Sequence, residues 1–450
     1  MKRERPAAAE ETDKNAAQAA DLQRAPGGAA SVRRDLLLMY AAQTLRYLAP
    51  MILVPFYGRI LGIESYGHLL SAMALMQMVW LFIEWGLPST GFRDLATATT
   101  AAARGKLLAA QLAARLLLTL CTLPPALLAL HLTPALRADL LVSGLALALG
   151  VASAFNMTWF FQGVGRFRLA AVMEVLGLAI STAVILWWVR LPGDAWVIPG
   201  ALLAVGAFSS LLQFWLAASP LPRGAIQFQN PWPAIRGSTM LFVDRGQTMM
   251  LGPLCVFLVG FVAPMAAVAA FAVADRLMGV AIALLGPLNQ VFAVRLTHSV
   301  AQMQQGGDES VTYRLMRRFC IYLMGYYTLI ASAGFLLADI LIPLIFGSGY
   351  QQVVPVFRVL CGVLLCSGAA AVPMGIVLYP LRRDKEMALI SAIRLLTTCA
   401  AVATLAAAAG SMGAASGRLI GAVLTLVALV VVFWRRSLWH ILLAPARSRP

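Results

Sequence analysis

The sequence predicts an all-α polytopic membrane protein of about twelve transmembrane helices, arranged as two six-helix lobes around a central cavity. Three observations carry that prediction. Of 450 residues, 60% are hydrophobic and 12% charged, with mean hydropathy +0.80, whereas an average soluble chain is roughly a quarter charged. Apolar stretches long enough to cross about 30 Å of hydrocarbon, which takes about 20 helical residues, recur about twelve times. The connections between them average about 12 residues, so no soluble domain fits and any function rests on helices and short loops.

Residues 1–35 mix alanine, charges and Pro-Gly-Gly without the apolar core of a signal peptide, and read as a disordered cytoplasmic tail. The first span, 36–57, contains Pro50 and Pro55, each of which removes a rung of the helical hydrogen-bond ladder; Gln43, Arg46 and Tyr47 share a face with Pro50. In the second span, 65–87, the spacing of Gln77, Trp80 and Glu84 makes a polar stripe, and in the third, 107–130, Gln111, Arg115, Thr119 and Thr122 do the same. The fourth, 140–162, ends with Asn156, Trp159 and Phe160 on one face. Spans 169–189 and 196–217 complete the first lobe (36–218), with Trp187 and Trp188 at a span end as interface anchors.

A longer polar connection, 219–237, reads as a cytoplasmic linker to a second lobe, 238–435, with spans 238–259, 266–292, 318–338, 353–378, 387–408 and 414–434. Pro253, Pro287 and Pro373 fall inside these spans, and Ser391, Arg394 and Thr398 form a stripe in the eleventh. Trp434 and Trp439 read as further interface anchors, and 436–450 as a second cytoplasmic tail.

The net charge of +16 would suggest nucleic acid in a soluble protein, a partner that the apolar composition excludes. Placing the loops of a twelve-helix chain on alternate sides puts 25 of the 35 Lys and Arg on one side. Four (Arg59, Arg137, Arg190 and Arg418) fall on the other, and six within spans. Because cytoplasmic loops collect basic residues, both termini are expected in the cytoplasm.

The six within spans are Arg46, Arg115, Arg245, Arg276, Arg358 and Arg394, against acidic Glu84, Glu174, Asp244 and Asp275. A charge at the bilayer centre costs at least about 2.5 to 3.5 kcal/mol, so such residues face a wet cavity, pair with one another or snorkel to an interface. The excess of arginine suits an anionic solute of phosphate or diphosphate type. Tyr47, Trp80 and Trp159 suit the apolar faces and hydroxyls of sugar rings. Glu84 and Glu174, near span ends, read as interfacial, and Asp244 and Asp275 as candidates for ion coupling. The four histidines are dispersed, no P-loop is present and the six cysteines form no CxxC pair. The sequence therefore predicts no enzyme, metal or cofactor, and transport that is downhill or ion-coupled.

The segment QTLRYLAPMILVPFYGRILGIESYG at 43–67, EWGLPSTGFRDLA at 84–96 and NMTWFFQGVGRF at 156–167 resemble the corresponding segments of Wzx-type polysaccharide flippases. In the second half, AVADRL at 272–277, PLNQVF at 287–292 and IFGSGYQQVVPVFRVL at 345–360 add to the resemblance. It departs at Trp85 and Leu87, where the family usually has tyrosine and phenylalanine. The resemblance implies a member of the multidrug/oligosaccharidyl-lipid/polysaccharide (MOP) exporter superfamily in the bacterial inner membrane. It further implies alternating-access translocation of an undecaprenyl-diphosphate-linked oligosaccharide, ion-coupled, for O-antigen, capsule or exopolysaccharide synthesis. The implied partners are that lipid-linked sugar, membrane lipids and, as a further candidate, a polysaccharide polymerase complex. The alternative is an antiporter of the same fold that exports small organic cations, for which an acidic cavity is expected.

Overall fold

The computed structural model describes residues 29–441 except 223, 225, 284–291, 293–294, 297, 301, 304–307, 382 and 440. The side chains of 29–52, 54, 244, 245, 283 and 384 also lie outside the described part. Among the described residues there is no strand, and the chain runs through α1 (Ala29–Glu84), α2 (Leu87–Thr97), α3 (Ala101–Leu132), α4 (Leu140–Ala154), α5 (Thr158–Gly163) and α6 (Phe167–Trp188). It continues through α7 (Val197–Ala218), α8 (Trp232–Val262), α9 (Met265–Ala283), α10 (Glu309–Phe346), α11 (Val353–Pro373) and α12 (Asp384–Arg435). Helix α1 thus begins inside the segment read as a tail. Nine described helices are long and apolar enough to cross a membrane, or ten when the bent α8 is included.

Two of these are far longer than one crossing, and glycine interrupts both. Gly62 breaks α1 at φ 71° and Gly410 breaks α12 at φ 56°, left-handed conformations that a residue without Cβ adopts at little cost. The break in α1 therefore falls at Gly62, not at Pro50 or Pro55. The two parts of α12 fold back on each other: Gly413, Gly417 and Gly421 lie against Leu405, Ala401 and Thr398 respectively. That is the register of an antiparallel hairpin. Lipid supplies no hydrophobic drive for helix association, so close backbone approach at small residues four apart is what holds such a pair. With these breaks, nine to ten long helices are consistent with about twelve crossings.

Local chemistry sets the other ends. Thr100 accepts from the Ala103 N–H at 3.2 Å to start α3, and Asp139 accepts from Val142 N–H at 3.0 Å to start α4. Asp194 accepts from the N–H groups of Arg190 and Leu191, which hold its carboxyl below the usual range. Helix α8 bends by 71° between Val243 and Gly246, away from Pro253. Pro373 is followed by a π-helical turn at Met374–Leu378, where Tyr379 N–H reaches the Met374 carbonyl at 2.9 Å.

Helix α1 packs on α3, α4 and α6 and also on α8, α9 and α10, while α12 packs on α8, α9 and α11, and α9 packs on α8 and α11. A Cβ on Gly150 would meet the Met76 carbonyl at 2.7 Å, so α4 and α1 touch at backbone distance. A small recess is lined by Ala101, Arg104, Val164, Arg166, Pro220 and Leu221, bringing three Arg-rich connections together. Elsewhere His68 bonds the Ala135 carbonyl at 3.1 Å, Gly260 abuts Ala135 and Ser71, and Tyr350 O–H donates to the Gly58 carbonyl at 2.7 Å. Those contacts join Arg-poor connections. Trp187, Trp188 and Trp434 project outward near helix ends, where an amphipathic ring meets the membrane surface.

Arg418 is corrected from its predicted loop position. It lies within α12, 7% exposed, and pairs with Asp275 of α9. Its count with the Arg-poor connections did not fit the predicted span 414–434, which already contains it.

Candidate functional site

A polar cavity of about 580 Å³ lies among helices of the first part of the chain. Helix α1 contributes Trp80 and Glu84, and the junction of α4 and α5 contributes Asn156, Trp159 and Gln162. Helix α6 contributes Glu174, Gly177 and Ser181, and α7 contributes Ser209, Ser210 and Gln213. Each set follows helical spacing, so one face of each helix turns toward the space.

The wall is built by short-range bonds. Asn156 Oδ1 accepts from Thr158 N–H at 2.8 Å and starts α5, which swings Trp159 and Gln162 toward the cavity. Gln213 Oε1 accepts from Met157 N–H at 2.9 Å while its Nε2 donates to Ser209 Oγ at 3.0 Å, fixing α7 to that junction. Phe160 and Phe161 turn away into a buried cluster with Leu95, Leu108, Met157 and Ala170. Gly163 and Gly91 allow α2 and α5 to close: a Cβ would meet Leu95 at 2.9 Å in the first case and Trp159 at 2.8 Å in the second.

The sequence expectations meet this geometry unevenly. Trp80 and Trp159, expected to contact sugar, share the cavity wall. Glu84 and Glu174, read as interfacial, line the same cavity. Arg115 lies behind the wall: wholly buried, it sits 5.5 Å from the Trp159 ring centroid and donates to the Asn156 carbonyl at 3.3 Å. No arginine among the described residues lines this cavity.

The remaining arginines are dispersed. Arg276 on α9 is half-buried, within electrostatic range of Tyr57 and Tyr66. Arg358 on α11 pairs with Asp339, donates to the Phe335 carbonyl at 3.3 Å and lies over the Phe335 ring. Arg394 on α12 donates to Thr248 Oγ1 at 3.1 Å, joining α12 to α8. Asp275 is engaged by Arg418. The side chains of Arg46, Tyr47, Asp244 and Arg245 lie outside the described residues. Spacing identifies the polar face of a helix but not the helix it meets, which is why the predicted cationic cluster is scattered.

Sequence reasoning missed Gln162, Ser181, Ser209, Ser210 and Gln213. Their signal was present as Glu174, Gly177, Leu178 and Ser181, and as Leu202, Val205, Gly206, Ser209 and Gln213, both at one-face helical spacing. Trp85, the departure noted above, stacks on Phe242 with centroids 3.9 Å apart and donates Nε1–H to Thr239 at 3.1 Å. Beside it, Thr90 and Ser238 hydroxyls meet at 2.7 Å. This corner ties α1 and α2 to α8.

Helical architecture, crossing lengths and an interior polar cavity define a multi-pass membrane protein. Residues 32–293 match the Polysacc_synt family, described as polysaccharide biosynthesis protein. The chain belongs to that family. A protein of Shigella dysenteriae bearing the provisional name O-antigen transporter is 28% identical over 275 residues, covering 59% of this chain and 67% of that one. An Escherichia coli K12 protein of the same provisional name is 20% identical over 339 residues, covering 73% and 79%. Among solved structures, an inward-facing multidrug resistance MATE family transporter of the MOP superfamily aligns with TM-score 0.61 at 13% identity, covering 89% of this chain and 100% of the other. The lipid II flippase MurJ in its inward closed conformation aligns with TM-score 0.57 at 12% identity, covering 91% and 90%. The fold is that of the MOP superfamily.

Proposed function

We propose that this protein is a flippase that moves an undecaprenyl-diphosphate-linked oligosaccharide from the cytoplasmic to the periplasmic leaflet of the bacterial inner membrane, by alternating access coupled to an ion. Its product enters O-antigen, capsule or exopolysaccharide synthesis, with a polymerase complex as a downstream partner. The observation that carries this reading is the pairing of two indoles, Trp80 and Trp159, with the amides and hydroxyls of Asn156, Gln162, Ser181 and Ser209 in one cavity. Indole faces suit the apolar faces of sugar rings, and the surrounding polar groups suit their hydroxyls. Family membership and the provisional names of both relatives support it.

In this reading residues 36–218 and 238–435 are two lobes joined by 219–237, and both termini are cytoplasmic. The half-buried cations Arg276 and Arg394, together with Arg46 and Arg245, receive the diphosphate as the lobes rock, because fixed guanidinium groups replace the hydration that it loses. Arg358, engaged with Asp339, acts on the path only if that pair opens.

One observation favours a second reading. The described cavity carries Glu84 and Glu174 and no arginine, the lining expected of an exporter of small organic cations. Purified protein in liposomes, supplied with fluorescent lipid-linked oligosaccharide, decides between them. The flippase reading predicts translocation that falls at least about tenfold in Trp80→Ala and Trp159→Ala. Absence of translocation, with saturable binding of a cationic dye that is lost in Glu84→Gln, overturns it in favour of the second.

A further inference from the structure

Arg115 carries a charge that nothing in its surroundings fully answers. It is 0% exposed, and only one of its donors is used, toward the Asn156 carbonyl; Nε and Nη2 have no partner among the described residues. Two neighbours are in the same condition. Trp159 is 3% exposed with its indole N–H unpartnered, and Gln111 is 4% exposed with Oε1 unpartnered. Gly91 presses on both, since a Cβ there would meet the Trp159 ring at 2.8 Å and the Gln111 amide at 2.9 Å. Burying polar donors without partners is costly, and burying an unpaired cation more so. Unpartnered N–H donors on a guanidinium and on the indole beside it have the chemistry of an anion receptor.

The Trp159 ring both lines the polar cavity and lies over Arg115, so it forms the partition between them. Glu84 lines the same cavity and is the carboxylate within Coulombic range of Arg115, yet the two form no ion pair. Glu174, the other carboxylate of the wall, is carried by α6.

We propose that Arg115 and Trp159 form a closed receptor for one anionic group of phosphate or diphosphate class, opened from the cavity by movement of Trp159, and that Glu84 competes with that anion for Arg115. This deepens the flippase reading and rests on it for the identity of the anion. A carboxylate that competes with the cargo for one cation stabilises the buried arginine when no cargo is bound. It also keeps binding reversible, which a transporter needs.

The competition fixes opposite signs for two substitutions. Binding of inorganic pyrophosphate to the purified full-length protein in detergent, followed by calorimetry, is expected to weaken by at least about tenfold in Arg115→Gln, since a charge-assisted hydrogen bond is lost. It is expected to tighten several-fold in Glu84→Gln, and Arg115→Lys, which keeps the charge, should fall between Arg115→Gln and wild type. A misfolded variant would not bind more tightly, so the Glu84→Gln result separates competition from structural damage. No binding by the wild type, equal affinity in Arg115→Gln, or no gain in Glu84→Gln overturns the proposal. Translocation of lipid-linked oligosaccharide by wild type alongside any of these outcomes leaves the flippase reading standing while this inference falls. Binding shifts as expected without translocation have the reverse meaning.

Discussion

Replacing Asp275 by asparagine keeps its shape and removes the charge opposite Arg418. The Arg418 side chain is 8% exposed and that of Asp275 17%, so neither partner is well served by water. Their surroundings offer little compensation. Cys255 is completely buried beside Arg418, and Gly252, whose added Cβ would lie 3.2 Å from the Asp275 carboxylate, supplies no side-chain donor. Removing one member of a buried pair costs about 3–5 kcal/mol because the other charge is left uncompensated. Partial exposure of Asp275 places this case near about 3 kcal/mol, which is more than about a hundredfold in the folding equilibrium. Replacing both, Asp275→Val with Arg418→Met, should recover most of that loss, since an apolar pair needs no solvation. Titration of purified protein from mild detergent micelles into SDS, followed by tryptophan fluorescence, measures all three variants and the wild type. A stability of Asp275→Asn within about 0.5 kcal/mol of wild type would refute the reasoning, as would a double variant no better than the single one. The same double variant tests the ion-coupling role first expected of Asp275. If the pair is structural, translocation survives in it; loss of translocation at unchanged stability assigns Asp275 to coupling instead.

Gly417→Leu should open the α12 hairpin, because even a Cβ at this position would lie 2.7 Å from the Ala401 carbonyl carbon and oxygen. Overpacking of this kind typically costs about 1–3 kcal/mol, and the same SDS titration would show it; unchanged stability would mean that the two arms are not held at backbone distance. The Thr90 and Ser238 hydroxyls, 2.7 Å apart, join α2 to α8. A Thr90→Cys and Ser238→Cys pair should therefore cross-link on mild oxidation and arrest translocation, with recovery on reduction. Cross-linked protein that transports at the wild-type rate would show that this corner need not open.

The candidate site was legible in part. Trp80 and Glu84 were visible in one stripe with Gln77, and Asn156 and Trp159 in another with Phe160, because a helix repeats its faces every 3.6 residues whatever it packs against; Gln77 does not line the cavity, and Phe160 turns into the buried cluster. Where two such stripes meet a third and fourth, on α6 and α7, they enclose a cavity, and that meeting depends on helix order and crossing geometry. The arginines show the limit of the same logic. Arg115, expected to line the lumen, lies buried behind the Trp159 ring, a difference of one side-chain layer that spacing cannot express.

The sequence alone determined that this is an all-helical, multi-pass membrane protein, since about 30 Å of hydrocarbon forces long apolar helices and their composition leaves no room for another class. It also determined the alternation of basic and basic-poor connections, which follows from chain order. Tertiary structure alone decided the partners of the buried charges. It put Arg418 with Asp275, left Arg115 without an ion pair among the described residues, and set Glu84 and Glu174 around a polar space of about 580 Å³. The physical reason is that membrane insertion acts on each helix by itself, whereas the pairing of a buried charge depends on which helices touch, and those contacts join residues far apart in the chain.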